Sequence, residues 1–124
     1  MGHMCRAPTI LICDDEEALR ELVRVTLDGE YRFVEAEDGV EALDLARARR
    51  PDLVVCDLML PTVGGLEVVA RLRADPELAG CRVVVLSAWT HAAPDALAAG
   101  ADRFVAKPFD PAELTAVVEE LLAA

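Results

Sequence analysis

Five polar residues stand out by their type and by what precedes them. Asp14 and Asp15 follow the apolar run Thr9–Cys13 (TILIC), and Asp57 follows Leu53–Cys56 (LVVC). Ser87 follows Arg82–Leu86 (RVVVL), and Lys107 follows Arg103–Ala106 (RFVA). Three carboxylates brought within a few ångströms repel strongly at low effective dielectric, so Asp14, Asp15 and Asp57 need a cation or raised pKa values. A hard divalent ion that takes oxygen ligands, Mg²⁺ or Mn²⁺, suits the set. Lys107 is the single lysine among twelve bases, the other eleven being arginines. Its ammonium is a compact charge with rotatable donors, and Ser87 carries a short hydroxyl. Taken singly, each residue also has an ordinary reading. Asp14 with Glu17 three residues on could cap a helix, Asp57 could be a solvated turn carboxylate, Ser87 a loop hydroxyl and Lys107 a surface charge. Their shared place at the ends of apolar runs is what joins them.

Those runs must be strands. They are short, apolar and bounded by polar residues, and Arg32–Ala36 (RFVEA) is a fifth, more polar candidate suited to a sheet edge. Between them the period shifts to that of a helix. Leu19, Leu22, Val23, Thr26 and Leu27 form one stripe, ended by Asp28-Gly29. Asp38 can cap a second helix carrying Val40, Leu43 and Ala46. Gly65 leads into a third with Leu66, Val69 and Ala70, stopping before Asp75-Pro76. Asp110-Pro111-Ala112-Glu113 is the best helix start in the chain. The fourth helix is expected to be short and mobile, with Pro94 in its first turn and Gly100 at its end. Strands alternating with helices five times give an α/β fold, a doubly wound five-stranded parallel sheet with right-handed crossovers. In a flavodoxin-like (βα)5 sheet of order 2-1-3-4-5, ligands bind between the carboxyl ends of the first and third strands, where Asp14, Asp15 and Asp57 converge.

Composition bounds the rest. A chain of 124 residues, 54% hydrophobic and 28% charged, supports one core and is neither disordered nor membrane-embedded. Its 23 acids and 12 bases give a net charge of −11, which disfavours direct binding to nucleic acid or an anionic membrane and suits a cation or a basic partner. Met1-Gly2-His3-Met4 reads as the remnant of an expression tag, leaving residues 5–124 as one domain. Cys5, Cys13, Cys56 and Cys81 lack metal-like spacing, so free thiols in a cytoplasmic protein are expected, with Cys13 and Cys56 close on adjacent strands. His91 has no partner at catalytic spacing and reads as a solvated loop residue.

From Pro8 to Leu122 the residues resemble the response-regulator receiver domains of bacterial two-component signalling. Asp14 and Asp15 match that family's acidic pair, and Asp57 in Val55-Cys56-Asp57-Leu58-Met59-Leu60-Pro61 matches its phosphoacceptor. Pro61 and Gly65 match the loop that follows, Ser87 the hydroxyl residue, Lys107-Pro108 the lysine-proline pair and Phe104 the switch aromatic. The resemblance implies that Asp57 takes a phosphoryl group from a histidine kinase, a phosphotransfer protein or a small acyl phosphate. Mg²⁺ would be held by Asp15, Asp57 and the Met59 carbonyl, with Asp14 acting through water. Lys107 and Ser87 would hold the phosphoryl oxygens. Movement of Ser87 would let Phe104 turn inward and alter the surface of the fourth helix, fifth strand and fifth helix, which signals to a downstream protein or output domain or to a second copy on activation. Met59, Ala88 and Trp89 would rim the site, and a cis peptide would precede Pro108. The stretch His91–Gly100 is abbreviated against the family pattern, and Phe104 lacks a phenolic hydroxyl.

Such a domain assists its own phosphorylation and dephosphorylation without being a turnover enzyme. Two alternatives stand beside it. A receiver-like interaction module without phosphorylation would not need the acidic set and Lys107. An aspartyl-nucleophile phosphatase would need an acid two residues after the nucleophile, where this chain has Met59. No GxGxxG follows the first strand to support nucleotide binding.

Overall fold

A computed structural model describes residues 7–29 and 31–123. Residues 1–4, read above as a tag remnant, lie outside the described residues. Five parallel strands, β1 (Thr9–Cys13), β2 (Arg32–Ala36), β3 (Leu53–Cys56), β4 (Arg82–Ser87) and β5 (Arg103–Ala106), form one sheet in the order β2-β1-β3-β4-β5. Only β4 departs from its expected bounds, running one residue further so that Ser87 belongs to the strand. The helices are α1 (Glu17–Thr26), α2 (Gly39–Arg49), α3 (Gly65–Ala74), α4 (Ala93–Ala99) and α5 (Pro111–Ala123).

Alternation along the buried strands divides the core. Leu11, Cys13, Val54, Cys56, Val83 and Val85 face α2, α3 and α4. Ile10, Ile12, Leu53, Val55, Val84, Leu86 and Val105 face α1 and α5. Three layers result, with helices covering both faces of the sheet and both faces of the central strands apolar, as parallel sheets require. Cys13 and Cys56 are register partners on β1 and β3, and both are free and buried.

The helix ends follow local chemistry. Asp38 Oδ1 accepts from the Glu41 amide at 2.8 Å and Glu41 Oε1 from the Glu37 amide at 2.8 Å, a reciprocal cap that starts α2. Asp110 Oδ1 accepts from the Ala112 amide at 2.9 Å at the start of α5. The α1 helix stops at Thr26, before the expected Asp28-Gly29, although Gly29 does take a positive φ of 153°. The α4 helix has seven residues, follows a single 3₁₀ turn at Thr90–Ala92 and has no side-chain cap at its start.

Its other end is fastened. Arg73, near the end of α3, donates to Gly100 O at 2.8 Å, Ala79 O at 2.8 Å, Cys81 O and Asp102 Oδ2 at 2.9 Å. Asp102 Oδ2 also accepts from the Val83 amide at 2.8 Å, so one guanidinium ties α3, the start of β4 and the turn between α4 and β5. Gly100 has φ 123°, and a Cβ there would lie 2.5 Å from Arg73 Cγ.

Candidate functional site

The site is built at the carboxyl ends of β1, β3, β4 and β5. The Asp14 amide donates to Ala36 O at 3.1 Å and the Asp57 amide to Cys13 O at 3.0 Å, so the sheet's own ladder positions both carboxylates. Arg20 Nη1 donates to Asp14 O at 2.7 Å, and Arg20 is held by Glu35 at 3.0 Å. Asp14 and Asp57 are 4% and 9% exposed, whereas Asp15 is exposed. Carboxylate oxygens of the three residues come within 4.8 Å of one another, the convergence expected from their places in the sequence.

Lys107 lies between two of them. Its Nζ is 2.8 Å from Asp14 Oδ2 and 2.9 Å from Asp57 Oδ2. Burial alone would pull the ammonium down, but hydrogen bonds to Asp14 and Asp57 outweigh it and hold Lys107 above the ordinary lysine range. An internal counter-ion therefore offsets part of the repulsion that the sequence assigned wholly to a metal or to protonation. Three carboxylates less one ammonium leave a formal excess of two negative charges, matched by a divalent cation. An all-oxygen donor set with one exposed member suits a hard ion that keeps part of its water shell. The donor chemistry fits Mg²⁺ or Mn²⁺.

Ser87 is 1% exposed and closes β4 beside this cluster. Its O accepts from the Lys107 amide at 3.0 Å and its Oγ from the Trp89 amide at 3.1 Å. Met59 and Trp89 are exposed, and Ala88 lies in the loop between Ser87 and Trp89. The Met59 amide reaches back to Asp57 Oδ1 at 3.3 Å. Phe104 is half-buried on β5 and packs against the core under α2, α3 and α4. His91 is exposed, with its ring 5.9 Å from that of Trp89. The Lys107–Pro108 peptide is cis.

Residue types gave no warning of the loop between β3 and α3. Pro61 O accepts from the Gly39 amide at 2.9 Å, and Thr62 has a positive φ of 65°. A Cβ on Gly39 would lie 1.9 Å from Val63 O, and one on Gly65 would lie 2.1 Å from Asp57 O. Asp38 reads in the sequence as a helix cap and Pro61 and Gly65 as parts of a loop, but the backbone contact between the two segments leaves no mark there.

Known proteins share this chain's sequence pattern and fold. A model of the response regulator receiver domain matches residues 10–119. The DNA-binding response regulator MtrA of Mycolicibacterium paratuberculosis is 41% identical over 116 residues, covering 91% of this chain and 50% of that protein. The DNA-binding dual master transcriptional regulator RpaA of Synechocystis is 40% identical over 118 residues, covering 93% of this chain and 49% of its own. The chain thus spans about half the length of these curated relatives. A crystal structure of a putative response regulator from Chloroflexus aurantiacus superposes with a TM-score of 0.90 at 33% identity, over 95% of this chain and 99% of that one. The chemotaxis response regulator CheY4 of Vibrio cholerae superposes with a TM-score of 0.86 at 29% identity, over 93% and 98%. With the sheet order, the acidic cluster and the lysine that bridges it already in place, a family match across nearly the whole domain means that this chain belongs to the response regulator receiver domains, the signalling modules of two-component systems.

Proposed function

We propose that Asp57 is the phosphoacceptor, that Mg²⁺ or Mn²⁺ assists its phosphorylation, and that the change is passed to the α4, β5 and α5 surface. The observation that carries this reading is Lys107 Nζ bridging Asp14 and Asp57 beside the exposed carboxylate of Asp15. Asp15, Asp57 and the Met59 carbonyl would hold the ion, with Asp14 reaching it through water, and the bound ion supplies charge neutralisation for an incoming phosphoryl group. Asp57 acts as nucleophile: a carboxylate oxygen forms the new O–P bond as the donor's P–N bond (phosphohistidine) or P–O bond (acyl phosphate) breaks, and imidazole or carboxylate leaves. Lys107 is already paired and close, so it turns from carboxylate to phosphoryl oxygen by rotation about its own side chain. Ser87 offers its hydroxyl from the neighbouring strand end. Phe104 is the switch aromatic, and its packing against the α4 side of the core gives it a route to that helix.

Phosphoryl donors are a histidine kinase or a phosphotransfer protein. An apolar groove of about 300 Å³ beside Lys107, lined by Leu19, Leu22, Ala88, Pro108 and Phe109, suits the apolar face of a donor helix. The output goes to a partner protein, an attached domain or a second copy. A net charge of −11 disfavours direct contact of the domain with nucleic acid, and the compartment that goes with this reading is the cytoplasm. No helix among the described residues is long and apolar enough to cross a membrane.

An aspartyl phosphatase would need a general acid at position 59, where an exposed methionine side chain stands. An interaction module without phosphorylation would leave the clustered carboxylates without a task. Acetyl phosphate, added with and without Mg²⁺, tests the proposal by intact mass. One phosphoryl group should appear on the wild type only with the ion, and none on Asp57→Asn. Equal labelling of Asp57→Asn would overturn it.

A further inference from the structure

We infer that Thr62 is a positioning residue for the metal site, acting from the amino terminus of α2 through the loop that carries Met59. The inference rests on the reading of Asp57 and the Met59 carbonyl as ion ligands. Met59 lies between Leu58 and Leu60, whose side chains are buried while its own is exposed. Its carbonyl belongs to the Met59–Leu60 peptide, two residues before Pro61, so a loop held fast at Pro61 and Thr62 limits how far that peptide can turn.

The inner end of this loop is fixed by the Gly65 amide donating to Leu58 O at 2.9 Å. The outer end is held from another element. Thr62 Oγ1 accepts from the Val40 amide at 3.1 Å and lies 3.2 Å from Asp38 Oδ1 and 2.6 Å from Pro61 O, the two acceptors open to its single proton. One hydroxyl thus joins the cap of α2, the first turn of α2 and the loop's own backbone. The Val63 amide donates to Pro61 O at 2.8 Å, which with φ 65° at Thr62 gives the strained form of the γ-turn. A β-branched residue at positive φ is an outlier that persists only where its surroundings impose it. Here the surroundings are the Thr62 hydroxyl contacts and the close approach of Gly39 to Val63. Because the Met59 amide also donates to Asp57 Oδ1, slack in this turn is felt at the phosphoacceptor carboxylate.

Calorimetric titration of the whole protein with Mg²⁺ tests this, alongside acetyl phosphate labelling as a function of Mg²⁺ and thermal unfolding. Thr62→Val keeps the shape and removes the hydroxyl, and it should weaken Mg²⁺ binding about fivefold. Its acetyl phosphate labelling should reach half its full rate at an Mg²⁺ concentration about fivefold higher than wild type needs. Thr62→Ser restores the hydroxyl and should bring Mg²⁺ affinity back to within about twofold. Asp38→Ser still caps α2 but cannot reach Thr62, and it should weaken Mg²⁺ binding as Thr62→Val does, which covers the case in which Thr62→Val does not fold. Wild-type Mg²⁺ affinity in Thr62→Val, or equal weakening in the valine and serine variants, would overturn the inference while leaving the site reading intact. A lower melting temperature with unchanged Mg²⁺ dependence would make Thr62 merely structural and overturn it too. Failure of the wild type to bind Mg²⁺ would overturn the site reading and the inference together.

Discussion

The loops that follow β3 and β4 leave the same edge of the sheet and flank the same cluster, yet they are held in opposite ways. After β3, the Gly39 amide, the Val40 amide and Asp38 all bond to Pro61 or Thr62, and two glycines bring backbone against backbone. After β4, the hydrogen bonds of residues 88–92 are local: Trp89 amide to Ser87 Oγ, Thr90 amide to Ala88 O and Ala92 amide to Trp89 O. Among the described residues, none of these bonds reaches another element, and Ala88, Trp89, Thr90 and His91 are all exposed. Stability is unevenly distributed in any fold, and the segments that move come from its low end. Here the loop proposed to hold the ion is braced and the loop proposed to transmit the signal is not.

The hardest blow to that contrast is Gly65→Ala. The new Cβ would lie 2.1 Å from Asp57 O and 2.6 Å from Leu58 Cα, both backbone atoms with little room to yield. A loss of about 3 kcal/mol in denaturant unfolding is expected, together with loss of Mg²⁺ binding. A cost below about 1 kcal/mol would mean that the braced loop is softer than it looks.

Removing the anchor at the far end of α4 comes next. Arg73→Met deletes hydrogen bonds to Gly100, Ala79, Cys81 and Asp102, and should cost about 2 kcal/mol. Amide exchange in α4 should quicken more than in α5, since α4 loses its one fixed end. Equal acceleration in both helices would show only global destabilisation.

Exchange in the unaltered protein sharpens the comparison further. Amides of α4 should exchange about tenfold faster than those of α3, and beryllofluoride, standing in for the phosphoryl group, should narrow the gap. Trp89 emission should change over the same titration, because its loop follows Ser87. An unchanged spectrum with beryllofluoride bound would sink that link. The smallest effect belongs to Leu97→Ala, at an exposed position of α4, which should shift stability by less than about 0.5 kcal/mol.

Much of the fold lay open in the sequence, because buried parallel strands are written as unbroken apolar runs. The bounds of β1, β2, β3 and β5 follow from Thr9–Cys13, Arg32–Ala36, Leu53–Cys56 and Arg103–Ala106 without correction. The cluster of Asp14, Asp15 and Asp57 was legible for the same reason, since a strand's end places the residue after it. What stayed hidden depends on contacts between distant residues of ordinary type. Lys107 reaches Asp14 across 93 positions, and no local pattern says that its ammonium pairs with carboxylates. Thr62 is one threonine in a loop until its φ and its three oxygen and nitrogen neighbours are known. Arg73 is one of eleven arginines, and only the fold tells it apart from its neighbour Arg71, which pairs with Glu67 on the surface.

The grip of Arg73 on Gly100 makes α4 a lever with its fulcrum at the carboxyl end. Seven residues at about 1.5 Å each give an arm of about 10 Å. A tilt of about 10° then carries the amino end nearly 2 Å, more than the tolerance of a hydrogen bond, while the carboxyl end scarcely stirs. Leverage of this kind grades the helix along its length. A protein gripping α4 near Pro94 would feel the full swing, and one gripping near Ala99 would feel almost none.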